Sequence, residues 1–215
     1  MQRRDFLLTL GSSAMLLVEP TSALAATDTG TLVAQMARRI AAKPYQKPSE
    51  ALPSSLASID YDAYRKIRFN PDRALWTDQN SHFRAQYFHR GFLFKEAVEL
   101  NEVAGRHIKP IAYSPDQFVC DGADLSDLPS DLGYAGFRMH GPLNTPDYLD
   151  EILVFLGASY FRSLGKNNVY GLSARGLAIG TWDPGGEEFP RFSKFWLERP
   201  KPDAKSFVIH ALLEG

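Results

Sequence analysis

The sequence predicts an all-β-dominated fold, a partial β-sandwich with two short helices on its N-terminal side. Short segments rich in Phe, Tyr and Val follow one another at hairpin spacing from His82 onwards, with turn residues between them. Helical periodicity is confined to the region before His82. About eight to ten strands at such spacing are typical of a sandwich.

Two N-terminal segments have the apolar spacing of amphipathic helices. Apolar residues recur at helical intervals over Thr31–Ala42, and Pro44 and Pro48 follow this segment. Asp60 is a suitable N-cap for a second helix over Asp60–Ile67. We therefore predict one short helix in each segment.

The most apolar segment, Ile152–Arg162, predicts one strand. Its two alternating sets of side chains are both apolar, which is typical of a strand buried on both faces in the middle of a β structure. The turn residues Gly165–Asn168 predict a hairpin to a strand over Val169–Thr181. Further strands are predicted over 106–113, 134–140, 195–198 and 206–213, and a loop over 116–132.

The N-terminus, residues 1–25, has the three parts of a secretory signal peptide. Arg3 and Arg4 form a charged start, an apolar stretch follows, and Ala23-Leu24-Ala25 is a small-residue exit. The adjacent arginines favour a twin-arginine signal; the alternative is an ordinary secretory signal with two basic residues. Either signal carries the mature chain, residues 26–215, out of the cytoplasm, and we expect the periplasm.

Composition excludes several classes of protein. Lys and Arg number 24 against 25 Asp and Glu, so the chain lacks the basic excess of a nucleic-acid binder. A single cysteine, Cys120, excludes an internal disulfide framework and a zinc site with several thiolates. The histidines lack metal-ligand spacing and the glycines form no nucleotide motif, so we expect no metal and no cofactor. No run of about 18 apolar residues predicts a membrane span.

Polar and aromatic residues of the kind that recognise sugars cluster around the predicted hairpin and directly after it. Tyr160 and Arg162 are two residues apart, so they lie on the same face of their predicted strand, and the same holds for Ser173 and Arg175. The carboxylates of Glu187 and Glu188 follow. An aromatic ring can stack on a sugar while arginines and carboxylates bracket its hydroxyls. The alternative is that these charges form solvated ion pairs at a sheet edge. The candidates are Tyr160, Arg162, Ser173, Arg175, Glu187 and Glu188.

The sequence motifs do not identify catalytic residues. The segment Gly171–Gly176 resembles the G-x-S-x-G motif of a nucleophile elbow, but Arg175 occupies the position of the second glycine. Glycoside hydrolysis requires two carboxyl groups at a defined separation, which the sequence does not give. The available carboxyl groups are Asp131, Asp183, Glu187 and Glu188, and no pair is nominated.

Several long motifs resemble those of one family. They are Asp131–Arg138 (DLGYAGFR), Phe155–Arg162 (FLGASYFR), Tyr170–Ile179 (YGLSARGLAI), Glu187–Pro190 (EEFP) and Phe195-Trp196. Together they resemble the periplasmic glucan biosynthesis proteins of the G and D type, which shape osmoregulated periplasmic glucans. The twin-arginine start is more similar to the D type.

The resemblance implies a fold and a ligand. The fold is a large β-sandwich of the galactose-mutarotase-like type, of which residues 26–215 would be the N-terminal part of a truncated chain. The ligand is β-1,2-linked glucan, and the membrane glucan synthase is a candidate partner. The substrate-binding residues that it implies are Tyr160, Arg162, Tyr170, Ser173, Arg175, Glu187 and Glu188.

The resemblance also implies a choice of functions. Some members resemble inverting endo-β-1,2-glucanases with an Asp general acid, but that Asp belongs to a part of the family that this chain does not match. We therefore expect a protein that binds and shapes or trims the glucan backbone, with no catalytic residue assigned. The alternatives are a non-catalytic glucan-binding scaffold and an inactive truncated gene product.

Overall fold

The computed structural model describes residues 28–121, 125, 128–169 and 171–215. The predicted signal peptide and Tyr170 lie outside the described residues. In the part of the chain that is described, strands dominate, and no helix has the length and apolar character needed to cross a bilayer.

The N-terminal side contains one substantial helix, α1 (Thr29–Ala41). It begins where the side chain of Asp28 accepts a 3.0 Å hydrogen bond from the backbone N–H of Thr31, which confirms the predicted helix to within two residues. Two single-turn helices follow, α2 (Ser54–Ala57), which was not predicted, and α3 (Tyr61–Tyr64).

The second predicted helix is right at its start and too long at its end. Asp60 caps α3 by accepting a 2.8 Å hydrogen bond from the N–H of Ala63. The helix ends at Tyr64 because Ile67–Phe69 leaves the helical path and pairs as a strand with Phe118–Cys120. This pairing also places a strand inside the predicted loop over 116–132.

Eleven strands are found among the described residues, and they form three sheets. In chain order they are β1 (Ile67–Phe69), β2 (Arg84–Phe88), β3 (Glu99–Ala104), β4 (His107–Pro110), β5 (Phe118–Cys120), β6 (Gly136–Gly141), β7 (Asp150–Leu156), β8 (Tyr160–Ser163), β9 (Leu172–Arg175), β10 (Arg191–Glu198) and β11 (Ile209–Glu214). A five-stranded antiparallel sheet has the order β2-β6-β7-β8-β9. A four-stranded sheet has the order β11-β10-β3-β4, with β3 and β10 parallel, and β1 pairs with β5.

The two larger sheets pack against each other through an aromatic core. The ring of Phe195 on β10 lies 4.9 Å from the ring of Phe137 on β6 and 4.9 Å from that of Phe155 on β7, measured between centroids. Phe195 and Phe137 are fully buried. The structure therefore has the predicted sandwich-like arrangement; whether it is of the galactose-mutarotase-like type stays a prediction.

Helix α1 covers the other face of the four-stranded sheet. Its apolar side, centred on the buried Val33, packs against Val103, Trp196 and Leu212 of β3, β10 and β11. The central strands β3 and β10 are thus covered on both faces, which is the reason that Trp196 is a core residue, whereas the edge strand β4 is exposed. The five-stranded sheet has one buried face, and its other face carries many exposed and half-buried side chains.

The single strand predicted over Ile152–Arg162 is wrong, because this segment is a hairpin. Strand β7 ends at Leu156, the chain turns at Gly157 with φ of +54°, and β8 returns antiparallel to β7. Phe155 of β7 and Phe161 of β8 are directly paired and both point into the core, whereas Val154 of the other alternating set lies on the outward face. The predicted central position is confirmed, since β7 is the middle strand of its sheet. The predicted burial on both faces is wrong, because all residues of β7 except Phe155 are half-buried.

The hairpin predicted around Gly165–Asn168 is confirmed, with shorter strands than expected. Strands β8 and β9 pair antiparallel on either side of this turn. The strand predicted over Val169–Thr181 is reduced to Leu172–Arg175, because Gly176 leaves the ladder after its N–H donates to the carbonyl of Ser159.

A buried histidine, His89, directly follows β2 in the chain. The ring of His89 is 2% exposed; its Nδ1 lies 2.7 Å from the carbonyl oxygen of Arg90 and its Nε2 lies 2.9 Å from the hydroxyl of Tyr113. Because a carbonyl only accepts, Nδ1 carries the proton and Nε2 accepts from the tyrosine. Burial lowers the pKa of His89 below its ordinary value of 6.5, so the folded chain holds this ring neutral.

We expect the stability of the fold to decrease on acidification. Below pH 6.5 the unfolded chain binds a proton at His89 that the folded chain resists, so the free energy of unfolding falls with pH by up to about 1.4 kcal/mol per pH unit until the lowered pKa is reached. Urea unfolding at about pH 7.5 and about pH 5.5 measures this loss. His89→Gln should reduce it, whereas His107→Gln, an exposed ring, should leave it as in the wild type. An equal loss in all three proteins would contradict the prediction.

Candidate functional site

The β8–β9 hairpin brings four of the predicted site residues together. Tyr160 pairs directly with Arg175, and Arg162 pairs with Ser173. Since Phe161 between them points into the core, the four side chains lie on the opposite, outward face of the sheet, and all four are exposed. Directly paired residues have their Cβ atoms about 5 Å apart, so these side chains form one patch.

Glu187 joins this patch through an ion pair. One of its carboxylate oxygens contacts the guanidinium of Arg175, with the side chains 22% and 39% exposed. The guanidinium carbon of Arg175 also lies 5.4 Å from the ring centroid of Phe189, which is 65% exposed. The loop after β9 thus folds back over the hairpin and fixes the orientation of Arg175.

Glu188 is placed differently from the other candidates. Its backbone N–H donates a 3.1 Å hydrogen bond to the carbonyl of Ile179, and this bridge holds the loop that presents Glu187. Within the described residues, no hydrogen bond or ion pair connects the exposed Glu188 carboxylate to the patch. Tyr170 was also predicted to bind substrate, and it lies outside the described residues.

The patch continues as a row of paired residues across all five strands of the sheet. Starting from β2, each member is the register partner of the next on the adjoining strand. At the usual strand spacing this row is about 19 Å long. We call it the outer-face row: Gln86, Arg138, Val154, Arg162 and Ser173.

Sequence analysis missed the first part of this row, where Arg138 is held by its neighbours. Its Nε donates to Gln86 Oε1 at 3.1 Å, and its Nη1 lies 3.0 Å from Glu151 Oε2. Its guanidinium carbon is 5.5 Å from the ring centroid of Phe88. The available signal was that Arg138 ends a family-like motif, but the motif alone does not show which strands lie beside it.

The row runs between two concavities. A cavity of about 260 Å³ is lined by Glu151, Val154 and Arg162 together with the exposed ring of Tyr148. A larger cavity, of about 560 Å³, lies at the other end, where Arg138 forms part of its wall. The outward face is therefore grooved rather than flat.

Gly171 makes room for Arg162 beside the smaller cavity. A Cβ atom at position 171 would lie 2.7 Å from Cγ of Arg162 and 2.9 Å from the carbonyl oxygen of Ser163. The second contact is with backbone, so any larger residue would shift the hairpin. Glycine at this position is thus needed for the observed course of the Arg162 side chain.

The chemistry of this face suits binding of a neutral, hydroxyl-rich chain. Guanidinium groups donate hydrogen bonds, carboxylate and amide oxygens accept them, and the rings of Tyr160, Phe88 and Phe189 offer apolar faces. Among the described residues, no group of His, Cys, Asp and Glu is arranged to hold a metal ion.

Comparison with known proteins then decides the family. A family model described as "Periplasmic glucan biosynthesis protein, MdoG" matches residues 29–215. The chain belongs to this family. The match covers all the described strands as well as the motifs from which the resemblance was inferred, so the predicted family is confirmed.

Curated relatives share about half of their aligned residues with this chain. It is 55% identical over 185 residues to the glucans biosynthesis protein G of Rhodopseudomonas palustris (strain BisA53), covering 86% of the chain and 37% of that protein. It is 51% identical over 189 residues to the protein of the same name from Vibrio cholerae serotype O1 (strain M66-2), covering 87% and 34%. A second Rhodopseudomonas palustris protein (strain CGA009) is 48% identical over 221 residues, covering 100% and 44%.

Two points follow from these relatives. The chain spans about 34–44% of their own length, so they contain a large region outside this comparison. All three are named for the G type. Similarity to the D type, which was inferred from the N-terminal arginines, stays a prediction.

We expect the Arg175–Glu187 pair to contribute a modest coupling energy. Because both side chains are partly exposed, a double-mutant cycle with Arg175→Ala and Glu187→Ala should give about 0.5–1 kcal/mol in urea unfolding. The matched control is the Arg68–Asp121 pair, whose side chains are 63% and 66% exposed and whose coupling should be close to zero. Coupling at the control pair as large as that at Arg175–Glu187 would contradict the assignment.

Proposed function

We propose that this chain carries a glucan-binding face of a periplasmic glucan biosynthesis protein, and that a β-1,2-linked glucan lies along the outer-face row. The observation that carries the proposal is the row itself, in which β6, β7, β8 and β9 each supply a side chain to one line across an outward face, while the buried Gln86 of β2 orients Arg138. Family membership supports glucan as the ligand, since the relatives are named for glucan biosynthesis.

The direction of the row favours an extended ligand. A polysaccharide that crosses the strands meets a new side chain about every 4.8 Å. Arg138, Arg162 and Ser173 offer polar groups along this line, and Val154 offers an apolar contact between the two arginines. Arg138 and Arg175 are already oriented by carboxylate partners and by aromatic rings. Such preorganisation reduces the side-chain entropy that is lost when a ligand binds.

The cellular role follows from this binding. We propose that the exported protein acts in the periplasm on osmoregulated glucans, and that it binds and shapes or trims their backbone near the membrane glucan synthase. Trimming would make the whole protein an inverting endo-β-1,2-glucanase. Such an enzyme needs an acidic group and a base at a suitable separation, and the described face offers no assigned pair.

The second candidate is a non-catalytic scaffold that holds nascent glucan. One observation favours it: Glu151 and Glu187, the two carboxylates that contact residues of this face, are each engaged by an arginine. Carboxylates in this arrangement orient donors for a ligand. An inactive product of a truncated gene would instead show no saturable glucan binding.

Binding by this face is tested with two matched pairs of variants. Tyr160→Ala and Arg162→Ala should each weaken the binding of linear β-1,2-glucan by about tenfold, equivalent to about 1.4 kcal/mol, as measured by calorimetric titration. The controls, Tyr45→Ala and Arg73→Ala, remove an exposed tyrosine and an exposed arginine outside the face. Equal losses in both pairs, or no glucan binding by the wild type, would overturn the proposed face.

Hydrolysis is tested separately by measuring reducing ends after incubation with the same glucan. If the chain trims glucan by itself, reducing ends should increase with time and the increase should be lost in Arg162→Ala. Binding without any new reducing end would support the scaffold.

A further inference from the structure

The larger of the two cavities described above is lined by positively charged residues and by no negatively charged ones among the described residues. It has a volume of about 560 Å³ and lies between the α3–β1 segment and the β2–β6 edge of the five-stranded sheet. Three arginines, Arg65, Arg68 and Arg138, contribute to its lining. No Asp or Glu is found among its described lining residues.

Two of these arginines, Arg65 and Arg68, retain positive charge that a ligand could use. Arg68 Nη2 lies 2.6 Å from a carboxylate oxygen of Asp121, but both side chains are more than 60% exposed, and such surface pairs are weak. Arg65 has no carboxylate within ion-pair distance in the described part of the chain, and its guanidinium carbon lies 5.9 Å from the ring of Tyr61. The charge of Arg138 is paired with Glu151, with 3.0 Å between Nη1 and Oε2.

The remaining wall is aromatic and firmly held. Tyr64, Phe69, Tyr87 and Phe88 line the cavity. The hydroxyl of Tyr64 donates a 2.9 Å hydrogen bond to the carbonyl of His89, and the ring of Phe69 packs edge-on against Tyr87 at 5.3 Å. The cavity therefore combines cationic donors with fixed apolar surfaces, which is the usual make-up of a site for a small charged molecule.

We propose that this cavity binds a small organic anion, with a phosphate or carboxylate group on Arg65 and Arg68 and a flat apolar part against Tyr64 and Phe88. Guanidinium groups suit this role because their planar fork matches the oxygens of carboxylate and phosphate. The site is distinct from the hairpin patch, and Arg138 is the residue at which the cavity meets the outer-face row.

The test uses phenyl phosphate as the probe in calorimetric titration of the whole chain. We expect saturable binding that is tighter than that of inorganic phosphate and absent for phenol, because both the charge and the ring are used. The double variant Arg65→Gln/Arg68→Gln should weaken phenyl phosphate binding at least tenfold and leave binding of linear β-1,2-glucan unchanged.

The matched control is Arg73→Gln/Arg106→Gln, which removes the same charge from exposed positions that do not line the cavity. It should retain phenyl phosphate binding, and the thermal transitions of both double variants should match that of the wild type. Equal weakening in the two double variants would show a general charge effect and overturn the site. Inorganic phosphate binding as tightly as phenyl phosphate, or no saturable binding at low salt, would also overturn it.

Discussion

The contact of Phe195 with Phe137 and Phe155 is the constraint on which the rest of this structure depends. These rings join the four-stranded sheet to the five-stranded sheet, and each lies 4.9 Å from Phe195 between centroids. Aromatic pairs of this geometry contribute about 0.5–1.5 kcal/mol beyond the burial of their area. Their greater effect is on register, because they fix which residues of β6 and β7 point inwards.

The inward rings determine the outward face. Side chains alternate along a strand, so Phe137 and Phe155 pointing into the core place Arg138 and Val154 outside. A slip of one residue in β6 would bury Arg138 and expose Phe137, and burying an unpaired charge in an apolar core is strongly unfavourable. The same slip in β7 would expose Phe155. The aromatic core and the outer-face row are therefore two consequences of one register.

Sequence reasoning reached part of this arrangement. The shared parity of Tyr160 with Arg162, and that of Ser173 with Arg175, could be predicted because both pairs lie on continuous strands joined by a recognisable turn. The turn at Gly157 was missed because Ile152–Leu156 is apolar at every position, so no alternation marks where this strand ends. The contact of Gln86 with Arg138 could not be predicted, because these residues lie far apart in the sequence and only the register of β2 with β6 brings them together.

Binding and catalysis place different demands on this sheet. A binding row needs side chains that repeat at the strand spacing, and one antiparallel sheet supplies this by pairing alone. Catalysis needs two carboxyl groups at a fixed separation, with one of them protonated, which requires residues from elements whose relative placement no strand pattern dictates. On this face Glu151 and Glu187 are each turned towards an arginine. The role proposed for this face is therefore to orient a glucan, since these two carboxylates form no acid–base pair for cleavage.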